Sequence, residues 1–156
     1  WVTDLFHQGP SVFGQSALLL GVGYFCGTLL NRALIKQLPE KLLVLLGLSI
    51  GVIISCIFVY INKFTTIYEA AIFISLINFG AGFIFSNVMA GNLVKFAKFA
   101  GICTALQGSL MLFIGSAISL LISAMKNPSI HQISYVFLGL TILQFILYIN
   151  MKRQTV

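Results

Sequence analysis

The chain has 156 residues, of which 59% are hydrophobic and 8% charged, with a formal net charge of +6 and a mean hydropathy of +1.04. Soluble domains carry about 25% charged residues. The deficit excludes an ordinary cytosolic enzyme, a disordered chain and a nucleic-acid-binding module. The charges cluster at intervals and leave five charge-free windows, 5–31, 42–62, 70–94, 99–125 and 127–151. A helix needs roughly 20 apolar residues to cross a bilayer core of about 30 Å. The predicted fold is therefore all-α: a polytopic membrane protein of five transmembrane helices.

Helix one is predicted over 12–35, helix two over 42–62, helix three over 67–91, helix four over 99–125 and helix five over 131–151. Pro10, Pro39 and Pro128 fall in the predicted connections, where a residue lacking its N–H does least harm. Tyr60, Tyr68, Tyr135 and Tyr148 fall near predicted helix ends, as interfacial aromatics do. No basic Lys/Arg stripe appears, so nucleic acid is not an expected partner. The partner implied by the composition is the lipid bilayer. Seven basic residues follow the odd-numbered helices: Arg32, Lys36, Lys41, Lys95, Lys98, Lys152 and Arg153. Lys63 and Lys126 follow the even-numbered ones. Cytoplasmic loops accumulate Lys and Arg, so the expected orientation is N-terminus outside and C-terminus inside. The chain starts at Trp1, outside, with no signal-peptide pattern. It reads as the C-terminal piece of a longer polypeptide, with the N-terminal half of that polypeptide as its partner.

Helices one, three and four carry most of the polar residues. Amide side chains in lipid demand protein or water partners. These three helices are expected to line an interior surface. The plainer helices two and five are expected outside, with Val44, Leu46, Phe58, Phe137 and Phe145 exposed. Small residues mark helix-packing seams: Gly23 and Gly27 on helix one, Gly47 and Gly51 on helix two, and Gly101, Gly108 and Gly115 on helix four. Ser75 and Asn78 share a face of helix three, and Thr104 and Gln107 a face of helix four. Two readings stay open for Asn78 and Gln107, interhelical hydrogen bonding or a solvated cavity that contacts a small-molecule substrate. The second makes Asn78, Gln107, Thr104 and Ser75 a substrate pathway. Gln15, near the outer end of helix one, is expected to meet headgroups or a neighbouring side chain.

No acidic or basic side chain is expected mid-membrane, and a proton relay normally needs one there. Any coupling residue is expected outside this piece. Cys26, Cys56 and Cys103 sit on separate helices without a C-x-x-C spacing and read as inert buried thiols. His7 and His131 have no partner spacing. Neither a catalytic constellation, a metal site nor a cofactor site is expected.

The stretch from Gly27 to Lys36 resembles the G-x-L-a-D-R-x-G-R-K loop signature of major facilitator transporters. Gly27, Leu29, Arg32 and Lys36 match, while Asn31 replaces the acid and Leu34 the second glycine. Ser86-Asn87, the run from Phe99 to Gly108, and Gly115-Ser116 resemble the tenth and eleventh helices of Bcr/CflA-type drug:proton antiporters. The resemblance implies that the five helices are the eighth to twelfth of twelve in an alternating-access exporter of the bacterial inner membrane. Drug-like solutes would leave in exchange for protons, with the coupling acids in the N-terminal half. In that fold the eighth, tenth and eleventh helices line the cavity. A non-transporting membrane anchor or assembly subunit is the alternative.

Overall fold

The computed structural model describes residues 10–61, 67–123 and 130–154. Five long helices make up nearly all of it: α1 (Pro10–Leu34), α2 (Glu40–Tyr60), α3 (Ile67–Lys95), α4 (Ala100–Ser123) and α5 (Ile130–Gln154). All five are long and apolar enough to cross a membrane. The predicted bounds differ from these by four residues at most. Asp4, His7, Lys63, Lys126 and Pro128 lie outside the described residues.

Local chemistry explains the boundaries. Pro10 opens α1 rather than lying in the connection before it; the first turn has no partner for an N–H, so a proline costs nothing there. The turn after α1 closes through Leu38 N–H on the Leu34 carbonyl at 2.9 Å. Pro39, extended at ψ 145°, then caps α2, and Glu40 places negative charge at the positive end of the new helix dipole. Between α3 and α4, Phe96 leaves the helical region, and a short 3-10 turn spans Ala97–Phe99.

The packing order is α1–α3–α2–α5, with α3 central and α4 lying mainly against α3 and the turn beside it among the described residues. Close glycine contacts set the two α3 interfaces. A Cβ at Gly80 would stand 2.7 Å from the Gly47 carbonyl oxygen, and one at Gly47 would stand 2.6 Å from that of Gly80. The α2 and α3 backbones meet here with no side chain between them. Across the other interface, Gly23 lies on Ser75, Gly27 on the Phe79 carbonyl, and Gly82 on the backbone of Tyr24 and Thr28. Lipid tails are as apolar as leucine, so close backbone approach replaces the hydrophobic drive that packs soluble helices.

This order corrects the expectation that helix two lies outside. Val44 and Phe58 are buried, Phe58 at 1% exposure; Phe137 and Phe145 are half-buried, and only Leu46 is exposed. The Phe58 ring stacks on Phe73 of α3 at 5.6 Å and meets Phe137 of α5 edge-on at 6.5 Å. A Cβ at Gly51 would stand 3.6 Å from the Thr141 methyl of α5, so the two α2 glycines serve different neighbours. The expectation for helix four is corrected as well. No residue of α4 is buried, and a Cβ at Gly101, Gly108 or Gly115 would meet open space. That seam packs against nothing among the described residues.

Polarity misjudged depth for an identifiable reason. The hydroxyls of Ser16, Ser86, Thr104 and Thr141 each donate to a carbonyl four residues back on their own helix, at 2.8–3.0 Å. A side chain satisfied by its own backbone places no demand on a neighbour. The free thiols of Cys26 and Cys56 are exposed, and that of Cys103 is half-buried, so these cysteines are not core residues.

Candidate functional site

The four pathway residues occupy different environments. Ser75 is buried under α1, where its hydroxyl donates to the Leu19 carbonyl at 2.8 Å. It joins two helices and is not open to a solute. Thr104 is exposed, with its hydroxyl on the Ala100 carbonyl at 2.8 Å. Asn78 is half-buried and donates to the Ile74 carbonyl of its own helix at 3.1 Å. Its Nδ2 is thus bonded within its own helix and not to a neighbouring one, and its Oδ1 retains acceptor capacity. Gln107 is half-buried, and its Oε1 accepts from Asn92 Nδ2 at a loose 3.4 Å.

Asn92 is the member that sequence reading missed. It lies fourteen residues from Asn78 with Phe85 midway, so all three fall on one stripe of α3. The Phe85 ring meets Tyr24 of α1 edge-on at 6.3 Å. The stripe therefore runs along the α1 side of α3 and reaches α4 at Asn92–Gln107. Seven-residue spacing from Asn78 was the available signal. The stripe holds two amides, an aromatic ring and no charge. It can hydrogen-bond and stack on a neutral or cationic solute, but it has no acid or base with which to move a proton.

A second amide pair is buried. Asn87, at 0% exposure, donates through Nδ2 to Asn31 Oδ1 at 2.7 Å and to the Phe83 carbonyl at 2.8 Å, while its Oδ1 has no partner. Asn31 is the residue that replaces the acid in the loop signature. The pair holds the end of α1 against α3 directly beside Arg32 and Lys36, which are both exposed. Elsewhere Gln15 meets a neighbour, accepting from the Tyr68 hydroxyl at 2.6 Å. Among the described residues no group of His, Cys, Asp or Glu could hold a metal ion.

None of the known family models, curated proteins or solved structures matches this chain.

Proposed function

We propose that the chain is the C-terminal part of a secondary transporter, a proton-coupled exporter of drug-like molecules of the major facilitator, Bcr/CflA-like type. The observation that carries this reading is the uncharged amide stripe of Asn78 and Asn92, joined by Gln107, on a face of α3 not used by α2. A helix crossing lipid has little use for half-buried amides whose hydrogen-bonding capacity stays partly unused. A solute pathway does, because amides bind polar groups weakly enough to release them. The open α4 seam of Gly101, Gly108 and Gly115 supports the same reading, since it is shaped to receive further helices from the N-terminal half. Alternating access then places the solute near the midplane between the halves, in a bacterial inner membrane with this piece N-out and C-in. Protons are handled by acids outside this piece.

The alternative is an integral membrane assembly subunit, for which the same open α4 face is the supporting observation. Export assays separate the two. In cells expressing the complete protein, Asn78→Ala and Gln107→Ala should change which compounds are exported while membrane abundance stays near normal. Normal abundance with unchanged export of every compound would remove the pathway. No export of any compound by the unmodified protein would favour the assembly subunit.

A further inference from the structure

Helices α2, α3 and α5 border a partly open cavity of about 150 Å³. Its floor is buried and formed by Gly51, Ile77 and Thr141; Ala81 and Phe137 form half-buried walls, and Gln144 stands exposed at its rim. The space exists because small residues fall where three helices converge. Gly47 and Gly80 draw α2 onto α3, and Gly51, one turn further along α2, leaves the gap that a larger side chain would fill.

From the cavity's size and lining, the geometry points to a binding site for a small uncharged phenol-class ligand, an aromatic ring carrying one hydrogen-bonding group. An apolar cavity of roughly 150 Å³ accepts a molecule the size of benzene. Phe137 offers a ring to pack against, and aromatic pairs gain from edge-on or offset contact. The polar groups lie towards one side. The Thr141 hydroxyl donates to the Phe137 and Leu138 carbonyls at 3.0 Å, which leaves its oxygen able to accept. Gln144 makes no hydrogen bond among the described residues, and its amide can donate and accept. No charged residue lines the cavity, so an ion would enter without a counter-charge. A lipid acyl chain fits the walls but leaves Gln144 and Thr141 unused. Asn78, Phe85, Asn92 and Gln107 are not among the residues that line this cavity, although Ala81 stands one helical turn from both Asn78 and Phe85.

Fluorine NMR of 4-fluorophenol and of fluorobenzene, with the protein in lipid nanodiscs, tests the site. Partitioning into lipid is common to all samples, so a saturable component absent from protein-free discs isolates protein binding. The unmodified protein should bind both, and 4-fluorophenol more tightly. Gly51→Val and Ala81→Leu, which fill the cavity from two different helices, should each weaken both ligands at least tenfold with the helix content retained. Gln144→Leu, at an exposed position where misfolding is not expected, should weaken 4-fluorophenol about fivefold, the worth of one hydrogen bond, and leave fluorobenzene unchanged. Absence of any saturable component in the unmodified protein overturns the site. Equal loss of both ligands on Gln144→Leu, or none, overturns the phenol class in favour of a purely apolar occupant.

Discussion

Two glycine-to-alanine substitutions of identical chemistry should have opposite effects on this bundle. At Gly80 the added methyl would stand 2.7 Å from the Gly47 carbonyl oxygen, about 0.7 Å short of an ordinary contact at 3.4 Å. The obstacle is backbone on another helix and cannot rotate away. Helices α2 and α3 must separate, and the Gly47, Gly51 and Phe83 packing around the contact loosens with them. Overpacking of this kind costs about 1–3 kcal/mol, against which alanine regains up to about 1 kcal/mol of helix propensity. A net destabilisation of about 1–2 kcal/mol is expected for Gly80→Ala. At Gly108, in the middle of α4, nothing lies within 4 Å of the added atom. There only the propensity term acts, and Gly108→Ala should be neutral or stabilising by up to about 1 kcal/mol. Reversible unfolding by a strong detergent in mixed micelles, followed by circular dichroism, measures both. Equal stability changes at Gly80 and Gly108 would refute the claim that close backbone approach holds α2 on α3.

The other predictions concern the buried amides and the topology. Asn31→Ala removes the acceptor of Asn87 Nδ2 and leaves a fully buried amide short of a partner, so it should cost about 1–3 kcal/mol in the same titration; a double substitution with Asn87→Leu should recover part of the loss, and no recovery would mean that the pair is not the source. Reporter fusions at Lys36, Lys95 and the C-terminus should report cytoplasm, and fusions at Lys63 and Lys126 should not. A cytoplasmic signal at Lys63 with none at Lys95 would reverse the orientation.

Membrane character, helix number and helix bounds were legible in the sequence because each depends on local terms. Twenty apolar residues in lipid must form a helix, since every backbone N–H and C=O has to be satisfied within the segment. Charges and prolines then mark the ends. Chain order and apolarity carry no comparable information about which helix lies beside which. Helix two, the most apolar stretch with few polar side chains, resembles a lipid-facing helix in composition, yet Gly47 and Phe58 place it between α3 and α5. Helix four, rich in glycine and hydroxyls, resembles a core helix and stands open. Composition could not separate them, because a hydroxyl that bonds its own helix and one that bonds another are the same residue in sequence. Ser75 reaches the Leu19 carbonyl of α1, whereas Ser86, eleven residues on, reaches only Gly82 of its own helix. The same holds for the glycines: Gly47 and Gly108 differ only in what the folded chain brings within 4 Å of them. The Asn78 amide could be found by residue type and Asn92 by its spacing, but the Asn31–Asn87 clamp and the Asn92–Gln107 contact exist only once α1 and α4 are laid against α3.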